Sequence, residues 1–148
     1  MRRTSLEDAD CPIARTLDAI GDWWSLLIVR DAMLGRRRFG EFQKNLGMAK
    51  NILAVRLRTL IEHGIMELAP ASDGSAYREY VLTPKGRDLF PVLVALREWG
   101  DRYMFPAGGS PVRLVDRRKM QPVRRLELRA ADGRLLKPDD TLLLGTDD

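Results

Sequence analysis

Four side chains between Asn51 and Arg58 carry recognition chemistry if the segment that holds them is helical. Asn51 offers an amide that can fork onto an adenine edge. Arg58, two helical turns on, offers a guanidinium that can fork onto guanine. Ala54 and Val55 are short hydrocarbon groups of the kind that touch a thymine methyl. On a helical wheel Leu53, Leu57, Leu60 and Ile61 fall on the other side, so one face is built for burial and the other for base edges. Covalent chemistry fits poorly. His63 is the single histidine, it precedes a helix-ending Gly64, and no nucleophile or paired carboxylate accompanies it. It is expected to be a helix C-terminal cation or a spectator. The one cysteine has no zinc spacing around it, so no metal and no cofactor are expected.

Positive charge gathers around the same segment. Arg36, Arg37, Arg38, Lys44, Lys50, Arg56 and Arg58 lie there, with Glu41 the only acid among them. Arg36, Arg37, Arg38 and Lys50 are expected to hold phosphates. Lys50 falls in a first helical turn, where a cation opposes the helix dipole unless an anion is near. Arg56 points toward the buried flank and either holds a phosphate or pairs with an internal acid. Ser75 and Arg78 lie around a polar tip and are expected to reach the backbone of a neighbouring groove. A second basic cluster, Arg113, Arg117, Arg118, Lys119, Arg124, Arg125 and Arg129, reads equally as phosphate contact or as a solvated surface. Over 148 residues, 25 basic and 21 acidic side chains leave a formal charge of +4, too mild to identify a partner by itself.

The elements that must position these groups are legible from breakers and caps. Residues 1–10 read as a flexible arm. Pro12 opens a helix carrying Ile13, Leu17 and Ile20, which Gly21 stops. Asp22 caps a second helix through Trp24, Leu27, Ile28 and Met33 to Gly35. A short helix with Phe39, Phe42 and Leu46 follows and breaks at Gly47; the next runs from about Ala49 to His63. Strands are expected over Ile65–Ala69 and Ala76–Leu82, around the turn chemistry of Pro70 to Ser75, with Tyr77 and Tyr80 packing on the sheet. Thr83-Pro84 opens a long helix with Leu89, Val92, Leu93, Leu96, Trp99 and Tyr103 on one side; Pro91 should kink it or break its first turns away. Ala107 to Ser110 reads as a linker, and Asp132-Gly133 as a hairpin turn in a β-like tail. The fold class is α+β, mainly α: a winged helix-turn-helix with a long C-terminal dimerisation helix and a short β-hairpin-like tail. Three domains of organisation are expected: the arm 1–10, a DNA-binding and dimerisation domain 11–105, and a linker with a β-rich extension 106–148.

The set resembles the HxlR family of bacterial transcription regulators. It begins at Cys11-Pro12-Ile13-Ala14 and continues through Leu17, Ile20-Gly21-Asp22 and Trp24. It then runs through Leu26 to Asp31, Gly35, Arg38 to Phe42, Asn51-Ile52-Leu53, Arg56-Leu57, Leu60, Gly64, Tyr80, Leu82-Thr83 and Lys85-Gly86. The resemblance implies a homodimer on a near-palindromic site in double-stranded DNA, with dimer contacts from Ile13, Leu17, Ile20, Leu93, Leu96, Trp99 and Tyr103. A wide apolar stripe after the wing needs a cover in any case, either a partner or its own domain. Ala49 and Ala54 stand where the family often has hydroxyl residues, and Trp23 where it is usually basic. In some relatives the cysteine matching Cys11 senses oxidants or electrophiles. A helix start and Arg15 one turn on would activate such a thiol, and the alternative is a small buried residue. The tryptophans, Phe39 and Phe42 are expected in the core, or lining a cavity for an unidentified small-molecule effector at the dimer interface. No apolar run is long enough to span a membrane, and a reducing cytoplasm is expected. The alternative function is a winged-helix protein–protein interaction module without specific DNA binding.

Overall fold

Pro12 occupies the first turn of α1 (Pro12–Ile20), where its missing N–H costs nothing. Asp22 then caps α2 (Trp23–Met33): its carboxylate accepts from the backbone N–H groups of Trp24 and Ser25 at 3.1 and 2.9 Å. The computed structural model describes residues 4–145. Helices α3 (Phe39–Leu46) and α4 (Lys50–Glu62) follow, separated by Gly47, whose φ of +64° is a left-handed turn that favours glycine. Strands β1 (Met66–Pro70) and β2 (Arg78–Leu82) pair antiparallel in the register Met66 to Leu82 through Pro70 to Arg78. The loop before α3 joins them, since Tyr80 donates its N–H to the Arg37 carbonyl at 2.7 Å.

The helix expected after the wing is two helices, α5 (Pro84–Arg87) and α6 (Phe90–Tyr103). Pro91 therefore sits in the first turn of α6 and breaks the run rather than bending it. Thr83 accepts from the Gly86 N–H and donates to the Gly64 carbonyl at 2.5 Å, tying α5 to the start of β1. Lys85 donates to the His63 carbonyl at 2.7 Å, which brings a cation to the end of α4.

The core gathers Ile20, Ile28, Val29, Phe42, Met48, Leu53, Leu57, Leu60, Ile65, Met66 and Leu82, with Trp24, Phe39, Tyr80 and Leu93 packed against it. Two residues expected at a dimer contact thus belong to the chain's own core. Ile20 is 3 % exposed, and Leu93 packs against the cluster. Trp23 and Trp99, expected in the core with the other aromatics, and Tyr77, expected to pack on the sheet, are exposed. The described part of the N-terminal arm, 4–10, is irregular; Leu6 donates its N–H to Asp18 of α1 at 2.8 Å.

The chain divides into two compact units within α6, one up to Leu93 and one from Val94. The expected linker, Ala107 to Ser110, belongs to the second unit and folds back on α6: Ser110 donates its N–H to Asp101 at 2.6 Å. The tail expected to be β-rich holds, among its described residues, two isolated antiparallel bridges, Val115 with Pro122 and Arg129 with Leu135, and a 3-10 turn at Pro138–Asp140. The second bridge closes on the anticipated Asp132-Gly133 turn. Residues 1–3 of the arm and 146–148 of the extension lie outside the described residues.

Candidate nucleic-acid interface

Helix α4 presents the two faces its spacing requires. Leu53, Leu57 and Leu60 are buried, and Ile61 packs on the core. On the other side Asn51, Val55 and Arg58 are exposed, with Ala54 half-buried at the edge. Among the described residues the side chains of Lys50, Asn51 and Arg58 make no hydrogen bond or ion pair. An amide and a guanidinium held on a rigid helix without internal partners are available to base edges. Ala49, at the N-cap, supplies no side-chain bond to the first-turn N–H groups of α4.

In the basic loop expected to hold phosphates, each arginine faces an acid of the chain itself. Asp31 of α2 is fully buried. It accepts from Asn45 at 2.7 Å and from Arg30 at 3.1 Å, with Arg36 3.9 Å away. Arg36 also donates to the Asn45 amide oxygen at 3.2 Å. Arg37 donates to Glu79 at 3.1 Å. Arg38 donates to Asp73 of the wing at 2.5 Å, lies 3.9 Å from Glu79, and stacks over the Tyr77 ring at 5.4 Å. Glu41 accepts from the Arg38 backbone N–H at 2.9 Å, fixing the entry to α3. Arg56, whose role was open, lies 3.4 Å from Asp22, the cap of α2. Arg36, Arg37, Arg38 and Arg56 thus each face an internal acid, whereas Lys44, Lys50, Arg58 and Arg78 have no side-chain partner among the described residues.

Glu79 organises this region and was not singled out from sequence. It is 2 % exposed although it lies in a strand between Arg78 and Tyr80. The Ser72 backbone N–H at 3.0 Å and hydroxyl at 2.9 Å meet its carboxylate beside Arg37. The Ser72 N–H above all, with Arg37, holds its carboxyl below the usual range against the opposing effect of burial. Strand alternation placed Glu79 opposite Arg78 and Tyr80, and a carboxylate on an inward face, with arginines upstream, was the available signal. At the wing tip Asp73 is lowered to about 2, chiefly by the Ser75 backbone N–H, then by the Ser75 hydroxyl and Arg38. Ser75 is exposed there and Arg78 lies at the base of the wing.

Of the expected dimer contacts, Ile13, Leu17, Leu96, Trp99 and Tyr103 are exposed. Cys11 caps the start of α1 and is exposed, which removes the reading of a buried small residue. Arg15 turns its guanidinium to the Ala9 carbonyl rather than to the thiol. Among the described residues no group of three or more His, Cys, Asp or Glu could hold a metal, and no helix is long and apolar enough to cross a membrane.

The family model for the HxlR-like helix-turn-helix matches residues 19–107. An HTH-type transcriptional regulator of Mycobacterium tuberculosis is 43% identical over 102 residues, 69% of this chain and 65% of its own length. The chain thus aligns with about two thirds of that relative. The crystal structure of PA1607, described as a candidate transcription factor, is 60% identical, with a TM-score of 0.90 over 95% of this chain and 99% of its own. The redox regulator HypR in its oxidized form is 33% identical, with a TM-score of 0.54 over 62% of this chain and 96% of its own.

Proposed function

The chain belongs to the HxlR-like helix-turn-helix family, and on that premise we propose that it is a sequence-specific transcriptional regulator. It binds double-stranded DNA as a homodimer on a near-palindromic operator and works in the cytoplasm. The outward face of α4 carries the reading: Asn51, Val55 and Arg58 stand exposed while three leucines of the same helix are buried. Asn51 and Arg58 supply bidentate base contacts, and Ala54 and Val55 the apolar ones. Lys50 and the N–H groups of the first turn receive a phosphate. Arg78 and Ser75 place the wing on the backbone. Arg36, Arg37 and Arg38 contact phosphate by exchanging their internal carboxylates for it. Ile13, Leu17, Leu96, Trp99 and Tyr103 meet a second copy.

Selection of binding sites from a random duplex library tests this reading. A symmetric consensus is expected for the wild-type chain, and Arg58→Ala should lose discrimination worth about 1–3 kcal/mol at one base position in each half-site. A library that yields no enriched sequence would remove specific recognition.

The exposed Cys11 is the candidate sensor. Two Cys11 thiols from two copies join when diamide takes up the two electrons and two protons they lose; a quinone instead adds to one thiolate. Operator release by either reagent, absent in Cys11→Ser, is expected. Release that persists in the serine variant places the sensitivity elsewhere.

A further inference from the structure

The second basic cluster of the sequence is not scattered in the structure; its centre is the tip of a built hairpin. Val115 bridges Pro122, Asp116 donates its N–H to the Gln121 carbonyl at 2.8 Å, and Met120 donates its own to the Asp116 carbonyl at 2.7 Å. Met120 takes a φ of 55°, which few residues other than glycine adopt, and this closes the turn. The carboxylate of Asp116, the only acid of the tip, is turned inward: it accepts from the backbone N–H groups of Arg118 and Lys119 at 3.1 and 3.2 Å. Three consecutive cations, Arg117, Arg118 and Lys119, are left exposed on the turn, and their side chains have no ion pair or hydrogen bond among the described residues. Arg113, Arg124 and Arg125 flank the base in the same state.

Two other arginines of the tail are paired by contrast. Arg129 meets Glu127 at 2.5 Å and Arg134 meets Asp132 at 2.8 Å. The loop before α3 likewise has an acid for each arginine. A hydrogen-bonded turn that gathers like charges and ties its one acid to backbone N–H groups suits a polyanion.

We propose that the Val115–Pro122 hairpin is a second phosphate-gripping element, which takes the backbone of double-stranded DNA. The proposal rests on the DNA-binding reading above. Duplex is favoured over single strands because no aromatic residue lies between Pro111 and Ala130 to stack an unpaired base. It is favoured over a lipid surface because the hairpin is not part of an amphipathic helix.

The test is a salt series on the full chain by fluorescence anisotropy, with a labelled random-sequence duplex, from about 50 to about 200 mM salt. Relative to wild type, the triple variant Arg117→Gln, Arg118→Gln, Lys119→Gln is expected to flatten the slope of log affinity against log salt by roughly 2–3, one contact per cation. The double variant Arg129→Gln, Arg134→Gln, which removes paired arginines, is expected to keep the wild-type slope, as is Arg117→Lys with Arg118→Lys. An unchanged slope in the triple variant, or an equal loss in the double variant, overturns the proposal. So does tip-dependent binding to single-stranded RNA or anionic vesicles that exceeds binding to duplex. If the wild-type chain ignores duplex altogether, the regulator reading falls first; if it binds and the triple variant binds identically, only the hairpin's role falls.

Discussion

Glu79 and Asp73 decide what the basic loop can do. Each sits below its ordinary pKa, Glu79 chiefly through the Ser72 N–H and Asp73 chiefly through the Ser75 N–H, with Arg37 and Arg38 adding to the effect. A carboxyl lowered on folding contributes stability that is complete above its unfolded pKa and disappears as pH falls through the folded one. The windows follow: for Glu79 downward from 4.5, and for Asp73 from 3.8 to about 2. Urea midpoints measured from about pH 6 to about pH 3 should therefore drop for the wild-type chain more steeply than for Glu79→Gln. The variant should also be less stable at neutral pH, where Arg37 and Ser72 lose a charged acceptor. Parallel acid limbs in the two proteins would show that Glu79 is not the group responsible. Asp73 is the complementary case. It is half-exposed and holds Arg38 from the wing, so it competes with any phosphate for that guanidinium. Asp73→Asn should leave the urea midpoint at neutral pH nearly unchanged, since solvent screens an exposed pair. It should tighten binding to random duplex in low salt. Weaker binding would mean that Asp73 positions Arg38 for DNA instead of withholding it.

The elements are joined at a few contacts where side-chain size is critical. A methyl group on Gly86 would lie 2.1 Å from the Ile65 carbonyl oxygen, so α5 reaches the start of β1 only because nothing occupies that position. Gly86→Ala is expected to cost about 1–3 kcal/mol through forced backbone movement, read as a lower urea midpoint with an unchanged m-value. It should also loosen Thr83 and Lys85 from the end of α4. Boundaries of this kind were legible in the sequence: Pro12, Asp22, Gly47, Gly64 and Thr83-Pro84 each act locally, through a missing N–H, a cap or a left-handed turn, and each falls where an element begins or ends. The two faces of α4 were legible for the same reason, because helical period is a local property. What sequence did not disclose was pairing between distant segments. Nothing in Arg36-Arg37-Arg38 shows that Asp31, Glu79 and Asp73 will be folded against it, so its cations read as phosphate contacts. Ile20 and Leu93 likewise continue apolar stripes, and periodicity cannot tell which members of a stripe the chain covers itself. The tail was read as β-rich from alternation, yet it forms only two bridges among its described residues, since alternation without a neighbouring strand to pair with yields no ladder.

At the scale of the whole molecule, α6 leaves an apolar face open. Leu96, Trp99 and Tyr103 are 53%, 59% and 57% exposed, and the Trp99 and Tyr103 rings pack on each other at 5.5 Å without being covered. Ile13 at the start of α1 is 70% exposed. Large apolar side chains left together on a helix surface mark an interface more often than a solvated face, and aromatic residues are the usual anchors of such interfaces. A second copy of the chain is the occupant that the proposed palindromic operator requires. In a two-fold contact every substitution acts twice, once from each copy, so one charge on this face should be decisive. In the proposed dimer, Trp99→Glu would remove an aromatic anchor from each copy and bury a carboxylate in its place. It is expected to raise the dimer dissociation constant more than tenfold, a change above about 1.4 kcal/mol, measured by sedimentation equilibrium. Its circular dichroism should stay close to wild type, because Trp99 is not among the residues of the core, while its urea midpoint should fall only by what association contributed. Binding to a full palindrome should then fall to the level of a single half-site while base preference within that half-site is retained, since α4 is untouched. A variant that remains dimeric and still binds the full site cooperatively would show that this face of α6 is not where the two copies meet.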